Sequence, residues 1–478
     1  MPTTPGEVYL IGAGPGDPGL LTLRGRECLE RADVVLYDYL AGARLLEMTR
    51  PGAELHCLGR CGEGKTWPQS EINRRMVEAA VSGRCVARLK GGDPNIFGRL
   101  GEEVDALRAA GLRFEVVPGV TTPVAAGAYA GVTITHRDRA SCVAFITGHE
   151  QPGKDGQALD YVALAHFPGT LVVYMGANTA ARWSGQLLRH GKPADTPALI
   201  VRRCSLPDQQ TIDCTLGEVA GLLAQGPPAG QPPADQPSGP APAPLRPPLV
   251  VIIGDVAHRP DACDWFTGRP LFGQTVLVTR PRQQAGPMID RLRELGAEVL
   301  WQPVIEILPP ADWSAADAAI RRLADSGDAG HTFDWVVFSS RNGVEHFCGR
   351  VAELGFDSRV FGRAKLAAIG PATAAGLGAF ALRADLHPGE YRAEALANAL
   401  AEEADGKRFL LVRASRGREV LAEQLRAAGG VVEQVVVYRS VDAVEPATDI
   451  ARRMAAGEID WTTATSSAIA RSLVSLFG

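Results

Sequence analysis

Short apolar runs separated by polar, helix-patterned stretches recur along the whole chain. Val8–Ile11, Val34–Tyr37, Cys85–Leu89, Phe114–Val117, Val143–Thr147, Thr170–Tyr174 and Ala198–Val201 are each short and mostly apolar, as expected of strands buried on both faces. Between them, Leu21–Arg31 and Glu71–Ser82 carry the spacing of amphipathic helices. A second series begins at Thr275–Thr279 and continues through Trp335–Ser339, Leu366–Ile369, Phe409–Val412 and Val432–Tyr438. Strand, loop and helix in alternation predict an α/β protein with mainly parallel sheets.

The second series repeats itself. Val276-Leu-Val-Thr-Arg280 leads to a helical stretch ending Arg291-Leu-Arg-Glu-Leu-Gly-Ala-Glu298, and Leu410-Leu-Val-Arg413 leads to Leu421-Ala-Glu-Gln-Leu-Arg-Ala-Ala-Gly429. Val337-Phe-Ser-Ser-Arg-Asn-Gly-Val344 is echoed by Thr463-Ala-Thr-Ser-Ser-Ala-Ile469. Two similar lobes are implied. The first copy continues into Ala367-Ala-Ile-Gly-Pro-Ala-Thr-Ala374, whereas the second stops at Gly478, so the sequence predicts an incomplete last lobe.

Composition narrows the class. At 478 residues the chain has room for about three domains. Its 46% hydrophobic and 22% charged residues are those of a globular protein, and its longest apolar runs, Leu249–Ile253 among them, are far too short to span a membrane. The net charge of −5, without long runs of one sign, gives no basis for binding nucleic acid or membrane. Nine cysteines without a CxxC pair argue against a disulfide framework, and no signal segment opens the chain, so a cytoplasmic location is expected. Residues 226–248 hold ten of the 34 prolines and can form only a loop or linker.

Gly12-Ala-Gly-Pro-Gly-Asp17 lies between a strand and a helix, where glycines let a backbone approach a ligand closely. It is not a dinucleotide fingerprint, because Asp17 replaces the third glycine and Pro15 has no N–H for a phosphate. A tight strand-to-helix turn would satisfy the pattern equally well. It is followed in order by Ala32-Asp-Val-Val-Leu-Tyr-Asp38, Lys90-Gly-Gly-Asp-Pro-Asn-Ile-Phe-Gly-Arg99 with Glu102-Glu103, Val117-Pro-Gly-Val-Thr-Thr122 and Gly131-Val-Thr-Ile-Thr-His-Arg137.

Together these motifs resemble the uroporphyrinogen-III C-methyltransferases of the tetrapyrrole methylase family, over residues 6–266. The family's last strand matches Pro248-Leu-Val-Val-Ile-Ile-Gly-Asp255, which makes the proline-rich stretch an insertion before that strand and not a domain boundary. The resemblance implies a two-lobed fold and two S-adenosylmethionine-dependent methyl transfers to ring carbons of uroporphyrinogen III. The product would be precorrin-2, on the way to siroheme or cobalamin. Carried over by position, it assigns Pro15, Gly91, Gly92, Asp93, Ile96, Thr121, Thr122, Met175 and Cys204 to the cofactor and Asp38 to the proton acceptor. Asp38 would otherwise read as an ordinary end-of-strand turn residue.

Two positions depart from the family. Arg60, in Gly59-Arg-Cys61, stands where the family has a lysine proposed as proton donor. Arginine stays protonated, so it clamps a carboxylate better than it gives a proton, and either that proton role is dispensable or a neighbour such as Lys65 serves it. Arg202-Arg-Cys-Ser205 replaces the common Glu-x-Gly-Thr. A substrate with eight carboxylates calls for local basic residues, for which Arg99 and Arg137 are the candidates among Arg24, Arg60, Lys65, Arg88, Lys90 and Arg139. His56, Cys57 and Cys61 lack the spacing of an iron–sulfur site, and no metal is assigned.

From residue 271 to 478 the duplicated lobes resemble uroporphyrinogen-III synthase, through Phe338-Ser-Ser-Arg-Asn-Gly-Val344, Ile369-Gly-Pro-Ala-Thr373, Val436-Val-Tyr-Arg439 and Thr463-Ala-Thr-Ser-Ser467. This implies a bilobed domain whose chain leaves one lobe at about Val304, builds the other, and returns at about Asp442. Ser339, Asn342 and Thr373 are then substrate-binding candidates, with Arg280, Ser340, Arg413 and Ser466 as further lining. Tyr438 would assist loss of the hydroxymethyl group from hydroxymethylbilane. The missing final repeat predicts reduced or absent synthase activity. The family further implies a homodimer. Two competing readings are a methyltransferase for a later corrinoid and a noncatalytic ligand-binding or scaffold role for the C-terminal half.

Overall fold

The computed structural model describes residues 5–59, 67–150, 159–226, 244–259, 264–325, 332–417 and 419–478. They divide into two compact units, Met1–Gln274 with Glu294–Glu298, and Thr275–Arg293 with Val299–Gly478. Among the described residues no helix is long and apolar enough to cross a membrane.

In the first unit, β1 (Val8–Gly12), β2 (Val34–Tyr37), β3 (Glu54–Cys57), β4 (Val86–Lys90) and β5 (Phe114–Val117) form a sheet in the order β3-β2-β4-β1-β5. Every pairing in it is parallel. The loops after all five strands therefore leave the same edge, where parallel sheets place their ligands. β1 and β4 are buried along their full length, the two cations of β4 included.

A second sheet combines β6 (Val143–Thr147), β7 (Thr170–Tyr174), β8 (Pro197–Arg202), β9 (Gln210–Thr215) and β10 (Leu249–Ile253), ordered β6-β7-β10-β8-β9. This sheet is mixed. β6 and β7 run parallel, whereas β10 is antiparallel to both neighbours, with Val251 opposite Val173 and Ile200. The strand after the proline-rich stretch is thus the centre of the sheet, and all five of its residues are buried.

The second unit contains β11 (Thr275–Val278), β12 (Glu298–Trp301), β13 (Ile305–Leu308), β14 (Trp335–Phe338), β15 (Lys365–Ala368), β16 (Arg408–Ala414), β17 (Val431–Asp442) and β18 (Trp461–Thr462). They make a three-stranded sheet, β12-β11-β18, and a five-stranded one, β13-β17-β16-β14-β15. The first part of β17 runs parallel to β16, and its far end runs antiparallel to β13, with Asp442 opposite Ile305.

The internal repeat has a local physical basis. The helix Arg282–Glu294 is followed by Gly296 and the helix Val420–Ala427 by Gly429, both with positive φ (100° and 86°), the backbone state that ends helices most easily at glycine. Ser340 and Ser466, at equivalent places in the repeat, cap their helices by accepting from the Gly343 and Ile469 N–H groups at 3.0 and 3.2 Å.

Cys57 is disulfide-bonded. Cys28, Cys85, Cys142, Cys204, Cys214 and Cys348 are free.

Candidate active site

At the shared edge of the first sheet, the loops after β1, β4 and β5 close on one another through backbone. Gly14 and Gly92 exchange N–H···O bonds of 3.1 and 2.8 Å, each with positive φ (71° and 68°). Gly119 lies so close that a Cβ on it would stand 2.3 Å from the Gly92 carbonyl oxygen. No other residue fits there. Asp93 fastens the same junction: one carboxylate oxygen accepts from Asn95 N–H at 2.8 Å and the other from Gly119 N–H at 2.9 Å. Ile96 follows in the turn, its N–H on the Asp93 carbonyl at 3.2 Å. Gly91, Asp93 and Ile96 are half-buried, so this loop is open on one side.

Thr121 occupies the N-cap of the helix Thr122–Ala130, yet its side chain makes no capping bond. It shares a 2.6 Å hydrogen bond with the Tyr174 hydroxyl at the end of β7, which ties the two sheets' loop systems together. Burial pushes Tyr174 up to about 12, so its hydroxyl keeps its proton at neutral pH. Phe97 packs edge-on against the Tyr174 ring at 4.9 Å. Met175 follows with its side chain exposed and φ at +52°.

The loop carrying Pro15 meets the loop after β8. Asp17 N–H donates to Ser205 Oγ at 2.9 Å, and Tyr129 donates to the Asp17 carboxylate at 2.8 Å. Cys204 is buried between Arg203 and Ser205, which both have positive φ (51° and 65°). Burial pushes its thiol up to about 12, so it packs as a neutral group and is no nucleophile. Among the described residues six non-glycine positions have positive φ, and Phe97, Arg99, Met175, Arg203 and Ser205 are five of them. Such strain gathers where a site holds its backbone in one shape.

Asp38 ends β2, with its N–H on the Leu89 carbonyl at 3.0 Å. Its carboxylate accepts from Arg88 Nη2 at 2.6 Å. Arg88 also donates through Nε to Glu103 at 2.9 Å, and Lys90 donates to the other Glu103 oxygen at 2.7 Å. Arg88, Lys90 and Glu103 are at most 3% exposed, whereas the Asp38 side chain is 35% exposed. Burial opposes the Arg88 charge, but the Asp38 and Glu103 carboxylates outweigh it and raise its pKa. Burial, and then the Arg88 charge, lower that of Lys90, with Glu103 acting against both.

Arg99 is exposed and makes a two-bond pair with Glu102 at 2.7 and 2.6 Å. Arg137 lies exposed in the turn that joins His136 to Ala140. Arg60 and Lys65 fall outside the described residues.

The second unit has a separate polar cluster. Ser340 Oγ and the Tyr438 hydroxyl lie 3.0 Å apart, and Tyr438 is 8% exposed, so burial raises its pKa and keeps it a phenol. His346, one turn beyond Asn342, stacks on the Tyr438 ring at 5.7 Å, and burial lowers its pKa. Asn342 accepts from Gln284 Nε2 at 2.9 Å, which joins the first helix of one lobe to the second lobe. Ser339 Oγ is on the Val412 carbonyl at 3.2 Å, and Thr373 is buried in the helix Pro371–Gly378. Among the described residues Arg280 donates to Gln284 alone, at 3.2 Å, and its Nε is buried without a partner. Arg413 is bound instead to Glu419 and Gln434, and Ser466 to its own helix.

Tyr174, Ser205, His346 and Gln284 are not picked out by the sequence. Ser205 and Tyr174 adjoin assigned positions, but the contacts that matter cross between sheets, where no motif reaches.

Comparison with known proteins decides the family. The signature of tetrapyrrole (corrin/porphyrin) methylases matches residues 7–220, and that of uroporphyrinogen-III synthase matches residues 286–478. The porphyrin biosynthesis protein HemD of Ruminiclostridium josui is 32% identical over 98% of this chain and 88% of its own. The chain belongs to this family, a tetrapyrrole methylase fused to a uroporphyrinogen-III synthase domain. The uroporphyrinogen-III C-methyltransferase of Bacillus subtilis is 36% identical over 74% of this chain and 68% of its own. An S-adenosyl-L-methionine-dependent uroporphyrinogen III methyltransferase of Methanosarcina barkeri is 42% identical over 54% and 94%. The chain also matches siroheme synthases, and spans about half their length. The methylase signature covers all the loops just described around Asp38, Asp93, Thr121 and Cys204. The synthase signature covers the Tyr438 cluster, with Arg280 lying just before it.

Proposed function

We propose that the methylase half of this enzyme transfers two methyl groups from S-adenosylmethionine to ring carbons of uroporphyrinogen III, giving precorrin-2. The observation that carries the reading is the convergence, at one edge of a parallel sheet, of the Gly14–Gly92 bridge, Asp93, Thr121 and Asp38. S-adenosylmethionine, when bound, supplies an electrophilic methyl group on a sulfonium centre. The residues present fit it. Glycine backbone leaves room for close approach around Gly91 and Gly92, Asp93 keeps acceptor capacity beyond its two N–H bonds, and Thr122 offers a hydroxyl. Pro15, Ile96, Thr121, Met175 and Cys204 complete the set by apolar and backbone contact. The strained, exposed Met175 is consistent with a ligand-facing role.

Methylating a pyrrole carbon leaves a cationic ring that regains conjugation by losing a proton. Asp38, partly exposed and held from behind by Arg88, is suited to accept it. Arg99 and Arg137 take substrate carboxylates, Arg99 by exchanging its Glu102 partner. Arg60 takes another in place of the proton-donor role of the family lysine.

In the synthase half, Tyr438 assists departure of the hydroxymethyl oxygen as a phenol donor, with Ser340 and Asn342 orienting it. Arg280, whose hydrogen bonds among the described residues do not include a carboxylate, binds one from the substrate with Ser339 and Thr373 beside it. A homodimer is the working assembly.

The deciding assay combines the purified chain with uroporphyrinogen III and S-adenosylmethionine. Precorrin-2 absorbance with two added methyl masses is expected; no added mass, or a single one at completion, overturns the reading. The missing final repeat predicts reduced or absent synthase activity, but the synthase signature runs over residues 286–478 and supports a working second half. Hydroxymethylbilane supplied alone should therefore yield the type III isomer, and type I alone would restore the expectation drawn from the missing repeat.

A further inference from the structure

β4 is buried along its whole length, yet two of its five residues are cations. Arg88 and Lys90 are two apart, so they leave the strand on the same face. That face receives the helix Leu100–Ala109, whose Glu103 is fully buried and meets both. Arg88 continues the chain of charge to Asp38. Two cations and two anions thus form a neutral series, Lys90–Glu103–Arg88–Asp38, with three members closed off from solvent and only the last partly open. Gln69, on the helix Gln69–Val81, adds a 3.2 Å bond to Glu103 from the other side.

Arg88 has no freedom to turn away. Its Nε is on Glu103, its Nη1 on the Leu89 carbonyl at 3.1 Å and the Leu36 carbonyl at 3.5 Å, and its Nη2 on Asp38. A planar fork with donors in three directions can do this, and a lysine ammonium cannot reach Glu103 and Asp38 together. The backbone of Asp38 is pinned to the same strand through Leu89. Both ends of the Asp38 side chain are therefore referenced to β4, the strand whose following loop carries Gly92 and Asp93.

We propose that Arg88, anchored by Glu103, is a positioning residue for proton removal: it fixes one Asp38 oxygen so that the other is presented to the methylated ring. This rests on the reading of Asp38 as proton acceptor. Burying three ionised groups is costly, and apolar residues of similar volume would fill the same space at least as stably. The arrangement is therefore explained better by the geometry it imposes on Asp38 than by stability.

The test is a double-mutant cycle on methyl transfer by the full chain, with single-turnover rate, KM for uroporphyrinogen III and S-adenosylmethionine affinity as readouts. Arg88→Lys should lower the rate about tenfold to a hundredfold while KM and cofactor affinity stay within about twofold. In the Asp38→Asn background the same substitution should cost almost nothing more, because its effect runs through Asp38. A merely structural role gives another pattern: loss of cofactor affinity and melting temperature in step with the rate, and the same loss in both backgrounds, which overturns the proposal. Unchanged activity of Arg88→Lys also overturns it. Glu103→Gln, which keeps the shape and removes one charge, repeats the cycle should Arg88→Lys not fold, with a few-fold loss expected only when Asp38 is present. Full activity of Asp38→Asn alone would instead refute the proton-acceptor reading itself.

Discussion

The two halves of the chain build polar sites in opposite ways. In the methylase half the buried polar groups include four charged residues, Arg88, Lys90, Glu103 and Lys192, and five strained non-glycine residues stand in its loops. In the synthase half the buried polar residues are neutral, Thr275, Thr279, Gln302, Thr373 and Ser472, and Ala381, away from the polar cluster, is the one non-glycine residue with positive φ among those described. The first design fixes a few atoms tightly, as in-line transfer to a ring carbon demands. The second, on the proposed function, would offer its ligand hydroxyls and a phenol, as suits a diffuse, cation-like intermediate. A single substitution should therefore hurt the methylase half far more than the synthase half.

Asp38→Asn is the sharpest way to break that contrast. It removes the proposed base and keeps the shape, so methyl transfer should fall about 10²- to 10⁴-fold while cofactor affinity, measured by calorimetry, is nearly unchanged. A loss below tenfold would put the methylase site in the same forgiving class as the other.

Gly119→Ala should come next, through packing. The new Cβ would sit 2.3 Å from the Gly92 carbonyl oxygen and 2.7 Å from the Gly12 backbone, none of which can move as a side chain could. We expect a stability loss of about 1–3 kcal/mol or more and loss of cofactor binding, read by thermal melting and calorimetry. The glycines of Val117-Pro-Gly and Lys90-Gly-Gly are visible in the sequence, and so were almost all the strands around them. What periodicity does not reveal is that these glycines touch each other, since contact between loops 27 residues apart depends on strand order and not on pattern. The strands that went unnoticed, such as β3 with its exposed Glu54 and Leu55 and two-residue β18, lie at sheet edges where burial leaves little mark on composition. β9, the far edge of the mixed sheet, is another. Arg88 and Lys90, counted from the sequence among the cations for substrate carboxylates, are instead buried and paired with Asp38 and Glu103, because two cations in an apolar strand must find partners inside the protein.

Tyr438→Phe tests the other side of the comparison. Type III isomer formation should drop about tenfold, the equivalent of roughly 1.4 kcal/mol, which is the scale of one net hydrogen bond. Burial raises the Tyr438 pKa, so its phenol form, the proposed proton donor, persists through neutral pH. The synthase rate should show no alkaline decline from this group below about pH 10. A collapse of the rate to the spontaneous level would show that this half, too, depends on one group.

The smallest effects come from the paired caps, and they separate structure from chemistry within the synthase half. Ser340 and Ser466 make the same capping bond in the two copies of the repeat, so replacing either by alanine should cost about 1 kcal/mol of stability. Ser340 alone also holds the Tyr438 hydroxyl, at 3.0 Å. Ser340→Ala should therefore slow isomer formation a few-fold beyond what its melting temperature explains, whereas Ser466→Ala should shift melting and leave the rate alone. Equal rates in the two variants would mean that the Ser340–Tyr438 bond is packing only, and that the duplicated lobes kept their caps for folding without either one being drawn into the chemistry.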